Sequence, residues 1–343
     1  MTGANISARH AEGQNLQEFL AAWASRAPAR ETVAAVVAAL AEAAIAIAGV
    51  VAAAPLQRAG EERPSPVALA DAAMVAALRR SPTAYYASAG EEAILTLRTD
   101  AGLAVAVDPL DPPDLATDIT LGSLFSIFPP AAAGATASFL RPGSEQLAAG
   151  YVVYGPHTAL VFTLGKGVFH FVLDPPSRTF VLLSDGVRIQ PATREYAINA
   201  ADYRHWPVPV RHFIDDCIAG GSGPRGKDFN MRWFGALVTE AHRIMMRGGV
   251  FLDPADERPS SEHRRLSLVF HANPIAMTTE QAGGTAIDGH RRILETPATD
   301  LLQPSALIFG SADKVARIVD YFNNTAAERA HSPLFGRRGL FRA

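Results

Sequence analysis

The sequence predicts a layered α+β fold, and three observations predict it. Short apolar runs with strand character crowd the middle of the chain. Segments with helical spacing of their larger apolar residues flank those runs on both sides. The two kinds do not alternate in the strand–helix–strand rhythm that a doubly wound parallel sheet requires.

In order, residues 1–30 form a polar lead in which NLQEFLAAW predicts a helical turn or more. Residues 34–54 are almost wholly apolar, interrupted by Glu42. By length they could span a membrane. However, the run is mostly alanine, and Val37, Leu40, Ala44, Ile47 and Val51 recur at helical spacing, so we read a packed helix of a soluble protein. Thr32 is placed to cap it. A proline-rich loop leads to a second helix over 68–79. ILTLR (94–98) and LAVAV (103–107), joined by Asp100-Ala101-Gly102, read as a hairpin. Further strands are expected around 124–128, 150–154, 159–163 and 169–173, with TFVLLSD closing the strand-rich half. The character changes near Tyr196, giving an expected division into 1–195 and 196–343. Beyond it come a short helix ending at Asp215-Asp216-Cys217, a Gly-rich basic loop GGSGPRGKD, and an amphipathic helix over 234–246. The strand LSLVF (266–270) follows, then a helix over 275–282 that stops at Gly283-Gly284.

With 343 residues, 48% of them hydrophobic and 19% charged, the chain can bury one large or two ordinary cores. A net charge of −3 with no long basic run argues against nucleic acid or an anionic membrane as the main partner. A single cysteine, Cys217, excludes an intrachain disulfide and fits a reducing cytoplasm, and the first sixteen residues lack the order of a signal peptide.

Chemistry concentrates where LAVAV breaks at Asp108-Pro109-Leu110-Asp111. Pro109 fixes its own φ and pushes Asp108 towards an extended conformation, so the turn can aim two carboxylates at one point beyond the strand. Such a pair suits a hard cation such as Mg²⁺; the alternative is a plain polar turn.

VDPLD followed by a short polar loop and GSLFSIF resembles the class I fructose-1,6-bisphosphatases. The likeness continues through 150–175, EYAINAADYRHW (195–206), 223–254 and ANPIAMTTEQAGGTAIDGHRRIL (272–294), to a final helix near 311–322. The resemblance implies a five-layer α-β-α-β-α sandwich, a homotetramer, and Mg²⁺-dependent hydrolysis of the 1-phosphate of fructose 1,6-bisphosphate in gluconeogenesis or the Calvin cycle. It implies that Asp108 and Asp111 bind metal through their carboxylates and Leu110 through its carbonyl. It also shows departures. Ala89 and Gly90 stand where the family has two metal-binding glutamates, and Glu91 and Glu92, two places later, are substitute candidates. His271 replaces another glutamate and would favour Mn²⁺ or Zn²⁺. An aspartate falls on Val67, and Gly-Ser-Ser becomes Pro112-Pro113-Asp114. On the sugar-phosphate side the resemblance assigns substrate contacts to Asn199, to Arg232 (reaching across a subunit boundary) and to Arg265, while Trp233 and Asp253 replace tyrosines. Two functions follow: an enzyme of this type, or a catalytically silent member that serves assembly or regulation, including in mixed oligomers with an active relative.

Overall fold

The computed structural model describes residues 13–53, 64–91, 93–112, 121–255 and 266–331, with side chains as far as 324. Glu92, Pro113, Asp114 and Arg265 lie outside the described residues.

Three helices lead: α1 (Leu16–Ala24), α2 (Ala29–Ala53) and α3 (Pro66–Leu78). Asn15 caps α1 by accepting from the Glu18 N–H, and Ser65 caps α3 by accepting from the Ala68 N–H. The expected Thr32 cap is corrected. The second helix starts earlier, and the Thr32 hydroxyl donates to the Ala29 carbonyl inside its first turn. Pro28 precedes that start, and its fixed φ suits a helix entrance where a missing N–H leaves nothing unsatisfied. By length and composition α2 is apolar enough to cross a membrane, yet Val33, Val36, Val37, Leu40, Ala44 and Ile47 are buried in the first core.

The first sheet has eight strands: β1 (Thr83–Ser88), β2 (Leu95–Thr96), β3 (Leu103–Asp111), β4 (Leu121–Phe128), β5 (Ala148–Tyr154), β6 (Ala159–Thr163), β7 (Phe169–Asp174) and β8 (Thr179–Ser184). Their order is β2-β1-β3-β4-β5-β6-β7-β8. The expected hairpin between 94–98 and 103–107 does not form. The short β2 pairs antiparallel with β1, and β1 pairs parallel with β3. Both residues of β2 are exposed, as suits an edge, whereas β3 is a central strand, buried on both faces and paired along one edge with β1 and along the other with β4. The small residues of TAYYAS weaken the strand signal of β1, and the sequence reading missed it.

The second half builds a five-stranded sheet ordered β10-β9-β11-β13-β12, from β9 (Glu195–Ile198), β10 (Asn230–Met231), β11 (Val250–Asp253), β12 (Thr285–Ile287) and β13 (Leu307–Gly310). Its helices are α4 (Val208–Ile218), α5 (Leu237–Arg247), α6 (Asn273–Gln281) and α7 (Ala312–His331). The expected strand LSLVF is corrected: residues 268–272 form a π-helical turn that runs directly into α6. Leu268, Val269 and Phe270 are all buried, so the run shows no alternation, and a continuous apolar run fits a buried helix as well as a strand.

Strand alternation sorts these elements into layers. Leu103, Val105 and Val107 face the core shared with α1, α2 and α3. Ala104 and Ala106 face a second core, shared with α5, α6 and the inner residues Ala197, Phe251 and Phe309 of the second sheet. Ile198, Val250, Leu252 and Ile308 point the other way, onto α4 and α7. The result is α-β-α-β-α.

Candidate metal centre and substrate cavity

A regular strand would put Asp108 and Asp111 on opposite faces, because they are three residues apart in a period of two. The β3–β4 ladder avoids this with a bulge: Asp108 lies opposite Leu124 and Asp111 opposite Gly122, so Pro109 and Leu110 together oppose Ser123. Pro109 has no N–H to give the ladder, which is why the extra residue falls there. Ser123 donates its hydroxyl to the Pro109 carbonyl at 2.7 Å and shares a 2.8 Å hydrogen bond with Tyr154, so the bulge is held from beneath. The Leu110 N–H donates to Asp108 Oδ1 at 3.1 Å.

His271 comes from the π-helical turn to complete the group. Ligand atoms of Asp108, Asp111 and His271 all lie within 4.8 Å of one another. The Ser267 N–H donates to His271 Nδ1 at 3.0 Å, so Nδ1 is an acceptor and Nε2 carries the proton. That proton is directed at Asp108 Oδ2, 2.8 Å away, and Asp108 is 8% exposed. Ser267, which sequence reasoning missed, also accepts from the Phe270 N–H. Its place four residues ahead of a histidine was the only available signal.

A cavity of about 380 Å³ adjoins the group. Asp111 and His271 line it, together with Asn199, Trp233 and Asp253 from the second half of the chain. Asn199 accepts from the Ala201 N–H and donates through Nδ2 to Asp202 at 2.7 Å. Asp202 also lines the cavity and was missed from sequence. Among the described residues the lining holds three carboxylates, of Asp111, Asp202 and Asp253, and no Lys or Arg. Arg232 lies outside the lining; it is half exposed, and its Nε is 3.8 Å from Glu195. Glu195 is shared with Arg243 at 2.7 Å, and Arg243 in turn pairs with the fully buried Glu240 at 3.0 Å. Burial raises the Glu240 carboxyl above its ordinary range, against the lowering effect of the Phe234 N–H and Arg243.

The chain matches the family described as fructose-1,6-bisphosphatase, N-terminal domain, over residues 9–185, and the corresponding C-terminal domain over 189–323. It belongs to the fructose-1,6-bisphosphatase family. A Cereibacter sphaeroides relative described as fructose-1,6-bisphosphatase class 1 1 is 49% identical over 276 residues, covering 80% of this chain and 82% of the relative. A Rhodopseudomonas palustris relative described as fructose-1,6-bisphosphatase class 1 is 46% identical, with 96% of this chain and 99% of the relative covered. The fold is similar to that of the Leishmania major fructose-1,6-bisphosphatase crystallised in holo form, with TM-score 0.81 at 24% identity over 91% of this chain and all of that one.

Against that family the site shows which sequence candidates meet. Asp108, Asp111 and His271 do, with Leu110 in the bulge between the two aspartates. Glu91 is exposed and does not join the metal-ligating group. A Cβ on Gly90 would lie 3.9 Å from Val67, so the positions where the resemblance expects a glutamate and an aspartate adjoin each other and hold neither. Asp71, one helical turn beyond Val67, accepts from the Tyr86 hydroxyl at 2.7 Å. Burial first, then the Asp71 charge, holds that phenol well above its ordinary range.

Proposed function

We propose that the chain removes the 1-phosphate of fructose 1,6-bisphosphate with the help of a divalent metal. The supporting observation is the shared cavity, where Asp111 and His271 of the metal side face the same space as Asn199 and Trp233. The domain division proposed above has the same sense, with the metal turn in 1–195 and the sugar-phosphate side in 196–343. The carboxylates of Asp108 and Asp111 suit a hard divalent cation, and Leu110 would add its carbonyl. His271 does not suit Mg²⁺, and its Nε2 proton already serves Asp108, so the donor set fits a single weakly held ion better than a Mg²⁺ cluster. A bound ion would neutralise phosphoryl oxygens and acidify an attacking water.

The protein's own part is placement. The bulge aims the carboxylates, Trp233 offers a flat wall to the sugar, and Asn199 marks the 6-phosphate side. Cations for that phosphate would come from Arg265 and from Arg232 of a neighbouring copy in a cytoplasmic homotetramer.

The second reading is a catalytically silent member that acts in assembly or regulation, and the hydrogen bond from His271 to Asp108 favours it. Phosphate release from fructose 1,6-bisphosphate by the purified chain, with Mg²⁺, Mn²⁺ and Zn²⁺ compared, decides between them. The first reading expects metal-dependent release, greater with Mn²⁺ or Zn²⁺ than with Mg²⁺. No release with any of the three metals leaves the second.

A further inference from the structure

The Gly-rich loop between α4 and β10 gathers positive charge around one aromatic ring. Arg225, Lys227 and Lys314 all approach the face of Phe229, at 5.0, 5.8 and 3.8 Å from the ring centroid. Arg225 and Lys314 also lie over Phe213, at 5.6 and 5.8 Å. Lys314 is 4% exposed, and Arg225 Nη1 is buried with no hydrogen-bond partner. Among the described residues none of the three forms an ion pair with a carboxylate. The acids nearby accept from neutral groups instead of pairing with these cations: Asp216 from the Tyr321 hydroxyl, which also lies beside Arg225, and Asp228 from the Gly221 N–H at 2.9 Å.

A ring face attracts one desolvated cation far better than it offsets the mutual repulsion of three. Burial, followed by the neighbouring Arg225 and Lys227, brings the Lys314 ammonium down to about 8, with the Cys217 thiol opposing. Among the described residues no carboxylate pairs directly with this cluster, which therefore gains from a close counter-ion. A phosphate group supplies it, because its oxygens accept from a guanidinium fork and from ammonium groups together.

We infer that Arg225, Lys227 and Lys314 form a binding site for a phosphate group, either the free ion or the phosphomonoester of a metabolite. The site is separate from the cavity described above, none of whose lining residues it shares. Phe229 leads into β10, and from there to Arg232 and Trp233, so an anion held here would also order the strand that reaches the cavity.

Calorimetric titration of the full chain with inorganic phosphate, and separately with ribose 5-phosphate, tests this. Saturable binding is expected. Arg225→Gln or Lys227→Gln should weaken it about tenfold, the scale of one charge-assisted hydrogen bond, while Asn199→Ala leaves this binding unchanged. Lys314→Met supplies a second readout. Without phosphate it should melt higher than the parent chain, because a repelling buried charge is gone, and phosphate should no longer raise its melting temperature. Should Lys314→Met fail to fold, the Arg225 and Lys227 variants carry the test. Tighter ribose 5-phosphate binding identifies a metabolite site, and equal or tighter inorganic phosphate a site for the free ion. Absence of saturable binding by the parent chain, or binding that all three substitutions leave unchanged, overturns the inference.

Discussion

His271 ends a polar relay in which each atom's role is fixed by the one before it. The Phe270 N–H occupies the Ser267 oxygen, Ser267 gives donors to Nδ1, and Nε2 is left to donate to Asp108. Replacing this imidazole by a carboxylate reverses the local balance. His271→Glu puts a third acid beside Asp108 and Asp111, so the metal-free variant should melt lower than the parent chain. Added Mg²⁺ should raise its melting temperature by more than it does for the parent, since a ligand of the native state stabilises it as concentration exceeds Kd. Thermal unfolding with and without Mg²⁺ reads both effects. Combining it with Ala89→Glu and Gly90→Glu should raise Mg²⁺-dependent turnover by orders of magnitude, because about 1.4 kcal/mol of transition-state stabilisation is tenfold in rate. Equal turnover by parent and repaired chains would sink the claim that these three positions limit catalysis.

At the level of elements, α5 is the joint between the first sheet and the cavity. Its Val238 packs on Gly122 of β4, where an added Cβ would lie 2.4 Å from Val238 Cγ1 and 2.6 Å from the Val152 carbonyl. Gly122→Ala should therefore destabilise the chain by about 1–3 kcal/mol in urea unfolding. Trimming Val238 to Ala should not restore stability, since the Val152 backbone cannot yield. On the same helix, His242 meets His170 of β7 with ring centroids 5.3 Å apart. Tyr151 of β5 lies 3.5 Å from His242 Nδ1, and His157 is the other titratable neighbour acting on the pair. Desolvation lowers both imidazoles to about 4, with the repulsion of the neighbouring histidines adding to it. Since the folded values lie below the unfolded value near 6.5, the unfolded chain binds protons first. Stability is full above about pH 6.5 and falls as pH drops towards 4. Urea midpoints between pH 7 and pH 4.5 should show this loss, and His170→Phe with His242→Phe should flatten it.

For the whole molecule, the stretch from β10 onward gathers exposed apolar side chains. Met231, Trp233 and Phe234 all present large apolar side chains to solvent, Phe234 at 59% exposure, beside the outward Arg232. Exposed apolar side chains so close together in the chain suit an interface. The chain is expected to sediment as an oligomer at micromolar concentration, and Phe234→Asp should shift it towards smaller species. If the parent chain is a monomer there, Arg232 has no neighbouring cavity to serve.

The family, the layered class and most strands and helices were legible in the sequence, because long stretches carry strong local periodicity and specific blocks such as VDPLD and ANPIAMTTEQAGG. So was the pairing of Asp108 with Asp111. Local pattern did not reach the partner choice of β2, which depends on β1 arriving from 83–88, or the helical fate of 268–272, where the consecutive buried residues Leu268, Val269 and Phe270 erase any period. It also left open which of Glu91, Glu92 and His271 joins the two aspartates, and Glu92 lies outside the described residues. Glu91 is nearer to them in the chain but stays in solvent, whereas His271 follows Asp108 by 163 positions and donates to it. Sequence therefore determined which side chains were available and which short turns they occupy, since those depend on neighbours a few residues away. Tertiary structure alone decided which donors converge, because convergence is set by how the layers pack and by a partly buried hydrogen bond whose direction an N–H at Ser267 imposes.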